Sequence, residues 1–177
     1  MAKVQIKSEK LTHFVFFDYL LNKQLSLRLI EDQQPLIHNI TNYVAMNFVA
    51  NCLLAIGASP IMARAEEEVE EISRKSNALA LNLGIPESAT AHSMILAGEA
   101  AMERRIPIVF DVVGVGATRF RMDIASQIIL RCHPTVIKGN ASEIQASYNS
   151  AKKTQWSFSL WIFLAQNLAL ICFLMFM

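Results

Sequence analysis

The sequence predicts an α/β fold built around a mostly parallel sheet. Three observations point that way. Short apolar runs alternate along the chain with stretches of helical periodicity. Two of those runs, Ala78 to Leu83 and Ile106 to Val113, are largely apolar without a period-two pattern. Polar residues stand where such runs end, Asp111 and Asn140 among them. Continuous apolar strands are what a parallel sheet covered by helices on both faces requires, and ligands of open α/β sheets collect at the carboxyl ends of the strands.

The elements follow in order. Leu11 to Ile30 place Phe14, Phe17, Leu20, Leu21, Leu25 and Leu29 near one helical stripe, which predicts an amphipathic first helix. From Thr41 to Ile56, Val44, Phe48 and Cys52 recur every four residues beside Leu53 and Ile56. This predicts a second helix buried on that face, stopped by Gly57 and Pro60. A short strand over Pro60 to Ala63 and a helix over Glu66 to Lys75 come next, then the strand at Ala78 to Leu83. Ile85-Pro86-Glu87-Ser88 reads as a loop, with Ser88 placed to cap a helix running to Arg105. After the strand at Ile106 to Val113 come a helix over Met122 to Arg131 and a strand over Thr135 to Lys138.

A chain of 177 residues is long enough for one domain with a substantial core. Sixteen basic side chains against fifteen acidic ones leave a net charge of +1, and no basic stretch is placed to neutralise a row of phosphates, so nucleic acid is not an expected partner. Cys52, Cys132 and Cys172 lie far apart in apolar surroundings and form no CxxC pair, which suits a reducing compartment. Met1 to Lys10 carry no continuous apolar stretch of the secretory kind, so a cytoplasmic location is expected.

Three blocks carry chemistry. The strand ending at Asp111 runs into Gly114-Val115-Gly116-Ala117-Thr118. A carboxylate at a strand end, followed by glycines that let backbone amides approach a ligand, suits a magnesium and phosphate site. A tight turn capped by an aspartate reads equally well from this block alone. Arg119 stands where a dinucleotide fingerprint would need its third glycine, which argues against a nicotinamide module. In Lys138-Gly139-Asn140-Ala141-Ser142-Glu143 a strand ends and a helix opens. Asn140 and Glu143 have the spacing of a capping box, and the same geometry lets Glu143 hold magnesium through water while Lys138 meets a phosphate. His38-Asn39-Ile40-Thr41-Asn42 precedes the second helix. Read locally, it is a turn in which Thr41 or Asn39 caps the helix and His38 is packed, and Met62 reads as core.

Four successive segments are similar to those of one family. They are His38-Asn39-Ile40-Thr41-Asn42-Tyr43-Val44, Asn51 through Leu53-Leu54-Ala55-Ile56-Gly57-Ala58-Ser59-Pro60-Ile61-Met62-Ala63, Asp111 through Gly114-Val115-Gly116-Ala117-Thr118-Arg119-Phe120-Arg121, and Lys138-Gly139-Asn140-Ala141-Ser142-Glu143. Together they resemble the hydroxyethylthiazole kinases of thiamin salvage, over about Pro35 to Ala146. The resemblance implies a three-layer ribokinase-like sandwich, a homotrimer with active sites between subunits, and ATP-dependent phosphorylation of the primary alcohol of hydroxyethylthiazole with Mg2+. It further implies that Met62 and Asn42 bind the substrate, that Lys138 contacts ATP, and that Asp111 and Glu143 surround the metal and phosphates. The family's catalytic base and anion-holding glycines belong to a later motif that does not follow Glu143 here, so no catalytic base is assigned. Val112 also replaces the proline usual after the strand-end aspartate.

From Thr154 to Met177 there is no charged side chain. The expected organisation is therefore a partial kinase domain over 11–150, incomplete at its C-terminal side, and an apolar tail over 151–177. A span of roughly 20 apolar residues is enough to cross a bilayer, and Lys152-Lys153 would hold the preceding domain in the cytosol. A membrane is expected as a partner only on that reading. A departure of the coding sequence from the family frame near Ser147 accounts for the tail more simply. On either reading kinase activity is expected to be impaired, and the alternative function is that of a non-catalytic binding or membrane-tethered remnant.

Overall fold

The computed structural model describes residues 27–152 and 162–163. A helical stretch over 27–33, here α1, leads into β1 (Leu36–Ile40), α2 (Tyr43–Ala55), β2 (Ser59–Ile61), α3 (Val69–Lys75) and β3 (Ala78–Asn82). They are followed by α4 (Ser88–Glu103), β4 (Ile108–Asp111), α5 (Arg119–Cys132), β5 (Val136–Lys138), α6 (Ala141–Lys152) and β6 (Ile162–Phe163). The strands form one sheet of order β2-β1-β3-β4-β5-β6, and every pairing is parallel. The expected α/β class and parallel sheet are thus what the chain forms.

The two faces of the sheet are filled separately. Ile40, Leu79, Leu81, Ile108, Phe110 and Ile137 pack with α3, α4 and α5 into the larger core, joined by Val112, Ile124, Ile128 and Cys132. Ile37, Ala78, Val109 and Val136 point the other way and pack with Ile30 of α1 and Leu53 of α2. That makes three layers, helix on sheet on helix. Both faces of β3 and β4 are buried, which explains why neither strand alternates in sequence.

Two expectations need correction. Leu36–Ile40 is a strand between β2 and β3, not a capping turn. The helix that follows is capped by Asn42, whose side chain accepts from the Ala45 amide. The helix is also rotated from its expected setting. Leu53 and Ile56 face the sheet as expected, joined by Val49, but Val44 is 84% exposed and Phe48 65%. Because α2 is apolar nearly all round, its four-residue spacing fits more than one face, and packing against the sheet decides between them. Smaller shifts occur at two other helix starts. Glu87 stands at the N-cap of α4, with Ser88 as its first residue. Thr118 caps α5 by accepting from the Arg121 amide.

The first predicted helix, Leu11 to Ile30, lies outside the described residues except for its end. The same holds for the apolar tail, of which only the helical backbone at 151–152, the end of α6, and the backbone of β6, paired with β5, are described. Among the described residues no helix is long and apolar enough to cross a membrane.

Candidate active site

A row of polar side chains crosses the carboxyl edge of the sheet because three strands end in register. Asn82 pairs with Asp111 across β3 and β4, and Asp111 with Lys138 across β4 and β5. Residues paired in this way point to the same face of a sheet. Asn82 Nδ2 donates to Asp111 Oδ2 at 3.0 Å, and Lys138 Nζ donates to the same oxygen at 2.8 Å. Asn42, two residues past the neighbouring β1 and the N-cap of α2, extends the row by donating from Nδ2 to Asn82 Oδ1 at 2.8 Å. The structure therefore joins three of the sequence-selected residues, Asn42, Asp111 and Lys138, through a fourth, Asn82, that the sequence reading did not select.

Asn82 is fixed in orientation. Its Oδ1 also accepts from the Gly84 amide at 2.8 Å, so its Nδ2 must be the end that faces Asp111. A Cβ at position 84 would lie 2.2 Å from Asn42 Nδ2 and 2.7 Å from Asn82 Oδ1. Only glycine admits this close approach.

The glycine loop after β4 is held from two sides. Glu143 Oε1 accepts from the Gly114 amide at 2.7 Å, and its Oε2 accepts from the Asn140 amide at 2.8 Å. Asn140 Oδ1 accepts from the Glu143 amide at 3.0 Å, so the expected capping box is present and one of its members also ties down the loop. On the other side Arg121 Nη1 donates to the carbonyls of Leu83 at 2.6 Å and Val113 at 2.8 Å, and Nη2 to that of Gly84 at 2.9 Å. One guanidinium thus clasps the loop after β3 to the loop after β4, as its planar fork allows. Gly114 and Gly116 have φ of +68° and +95°, which favours glycine at both positions. The loop's amides are largely engaged within the protein. Gly114 donates to Glu143, while Val115 and Ala117 close turns on Val112 and Gly114. Arg121 and Asn82 are the residues the sequence reading missed. Arg121 ends the segment that begins at Asp111, where no local pattern gives it a role, and Asn82 is a lone polar residue inside an apolar run.

Met62 immediately follows β2, half-buried, at the same carboxyl edge but one strand beyond β1. Its peptide neighbour is anchored from below. His38 is fully buried on β1, with Nε2 3.0 Å from the Ala63 carbonyl oxygen and Nδ1 2.9 Å from Ser73 Oγ. A carbonyl only accepts, so Nε2 carries the hydrogen and donates it, and Nδ1 accepts from the Ser73 hydroxyl. Arg64, next along, donates to Thr90 Oγ1 at 2.7 Å, and its guanidinium lies 4.4 Å from the centre of the Tyr43 ring.

Burial lowers the pKa of His38 below its ordinary 6.5, against smaller opposing contributions from the Ala63 hydrogen bond and Glu68. The unfolded chain then binds the proton more readily than the folded one. The contribution of this group to stability is complete above pH 6.5 and is lost as pH falls through the depressed folded value. Urea unfolding at a series of pH values is expected to show stability falling on acidification from 6.5. In His38→Gln that acid-side slope should be shallower, although the variant is less stable at neutral pH. An unchanged slope would mean that His38 does not titrate there.

Asp111 and Lys138 are partly buried, their side chains 18% and 22% exposed. Among the described residues no cluster of three or more His, Cys, Asp or Glu side chains is placed to hold a metal ion. A cation at this edge would therefore take fewer carboxylates from the described residues, with other oxygens supplied by ligand or water, as is usual for magnesium on phosphates. Asp111 fits that role. Its Oδ2 takes both donors, and Oδ1 accepts from no group among the described residues. Both oxygens of Glu143 already hold backbone amides, so it fits only as a partner to metal-bound water.

The sequence model of the Hydroxyethylthiazole kinase family matches residues 27–156. The chain is 48% identical over 120 residues to a hydroxyethylthiazole kinase of Caldivirga maquilingensis, covering 68% of this chain and 45% of that protein. It is 56% identical over 115 residues to a hydroxyethylthiazole kinase of Exiguobacterium sp., covering 65% and 44%. The solved structure of the hydroxyethylthiazole kinase protein from Pyrococcus horikoshii OT3 superposes with a TM-score of 0.67 at 48% identity, covering 70% of this chain and 48% of that one. The chain spans about half the length of the curated relatives it matches.

Proposed function

The chain belongs to the hydroxyethylthiazole kinase family, and from that premise we propose that the protein carrying it transfers the γ-phosphoryl group of ATP to the hydroxyl of 4-methyl-5-(2-hydroxyethyl)thiazole. The observation that supports this reading is the Asn42–Asn82–Asp111–Lys138 row at the carboxyl edge of the sheet. It sets side by side a carboxylate that can hold a metal and an ammonium that can meet a phosphate, the combination that a metal-bound polyphosphate needs.

In the proposed reaction the alcohol oxygen attacks the γ-phosphorus, the bond from that phosphorus to the bridging oxygen breaks, and ADP leaves. The hydroxyl proton passes to a base that is none of the residues named here. Magnesium, when bound, offsets charge on the phosphates. Asp111 would hold the cation through Oδ1, and Glu143 would act on its water. Lys138 would meet a phosphate as a point charge. Asn42 and the backbone at Met62 would hold the thiazole, with His38 fixing the Ala63 carbonyl beside it. A homotrimer is part of the proposal. The exposed apolar side of α2, with Tyr43, Val44, Phe48 and Leu54, is the kind of surface that an assembly covers.

The test is phosphorus NMR of the protein with the thiazole alcohol, ATP and magnesium. A new phosphomonoester signal is expected, and Asp111→Ala should reduce its rate by at least about a hundredfold, the scale of losing a group that stabilises transferring charge. Full turnover by Asp111→Ala would remove that residue from the mechanism. Thiazole alcohol that neither binds nor reacts would overturn the substrate assignment.

A further inference from the structure

Lys138 and Asp111 meet each other before they meet any ligand. Their strands place them opposite one another in register, and Nζ lies 2.8 Å from Oδ2 with both side chains largely shielded from water. Asn82 holds the same oxygen from the other side, so the carboxylate cannot turn away without losing a second bond. A cation approaching Asp111 therefore meets an ammonium already in place, and like charges at such a distance repel.

We propose that Lys138 is the resident counter-ion of Asp111, so that this edge takes up a divalent cation together with a polyphosphate and resists the cation alone. An incoming phosphate gives the ammonium a new partner. Lys138 then leaves Oδ2, the carboxylate regains its full negative charge, and the metal carried by the phosphates docks against it. Lysine suits the part because its charge sits on a flexible stem that reaches either partner, whereas a guanidinium fork would be held by geometry. The device rests on the phosphotransferase reading above, but its distinguishing feature is the exclusion of bare metal.

Binding of Mn2+ to the full chain, followed by electron paramagnetic resonance with and without ATP, tests it. The parent chain is expected to bind Mn2+ weakly alone and more tightly with ATP. Lys138→Met should bind Mn2+ alone about tenfold more tightly or better, since a positive charge has left the carboxylate, and should bind the Mn2+–ATP complex less well. Lys138→Gln, which keeps a polar tip at that half-buried position, should behave in the same way and guards against a folding defect in the first variant. Adding Asp111→Asn to either variant should abolish the gain. Mn2+ affinity no greater than the parent's in both Lys138 variants would overturn the proposal, as would a gain that survives Asp111→Asn. Mn2+–ATP binding that depends on Asp111 without any gain in the Lys138 variants would sink the counter-ion role alone. The gain without any binding of Mn2+–ATP would instead sink the phosphotransferase reading.

Discussion

Replacing Phe110 with alanine is expected to lower the unfolding free energy by about 3–5 kcal/mol. Phe110 is completely buried on β4, a central strand, and belongs to the core that β3, β4, α4 and α5 fill together. Its removal leaves a cavity that the flanking strands cannot close, because each is fixed by parallel pairing on both sides. A loss of that size is a large part of the stability of an ordinary domain. Urea unfolding of the parent, Phe110→Leu and Phe110→Ala is the check. The leucine variant should retain most of the stability, and a loss under about 1 kcal/mol for alanine would mean that the core relaxes around the cavity. Phe110 also precedes Asp111, so strain at this site reaches the polar row directly.

Gly84→Ala should act on function more than on folding. The added methyl falls 2.2 Å from Asn42 Nδ2 and 2.7 Å from Asn82 Oδ1, so the two amides must separate. Asn82 then loses its partner on one side and is free to release Asp111 on the other, and Asn42 is the N-cap of α2. A misplacement of about 1 Å at a reacting centre can cost roughly a hundredfold in rate. That loss is expected for the proposed phosphorylation of the thiazole alcohol, with stability reduced by about 1–2 kcal/mol, the scale of a disturbed cap and one broken hydrogen bond. Steady-state kinetics and thermal unfolding of the same variant separate the two effects. Parental rates in a folded Gly84→Ala would show that the Asn42–Asn82 bond does not position the site.

Much of this arrangement was legible in the chain. β3 and β4 were visible because strands buried on both faces leave uninterrupted apolar runs, and the Asn140–Glu143 box because capping is a local contact set by spacing. β1 was not visible as a strand. It carries His38 and Asn39 in its middle, and only tertiary contacts with Ser73 and Ala63 make a buried histidine acceptable there. The setting of α2 was misread because both of its sides are apolar, and sequence period cannot rank two apolar faces. Asn82 and Arg121 are not legible as site residues because the contacts that tie them into the site, from Asn82 to Asn42 and Asp111 and from Arg121 to Leu83 and Gly84, span 29 to 40 and 37 to 38 positions, beyond any local pattern.

The in-register pairing of Asn82, Asp111 and Lys138 makes the sheet a ruler. Strand side chains alternate between faces, so a deletion of one residue of β4 ahead of Phe110 would turn Asp111 into the core under α4 and α5, turn Phe110 toward α1 and α2, and leave Val112 at the ligand edge. The lengths of β3, β4 and β5 are thereby constrained together, since each must run out on the same face at the same height. Length variation is left to segments that do not count toward that measure, such as the loop at Ile85–Glu87 and the turns at the opposite edge of the sheet.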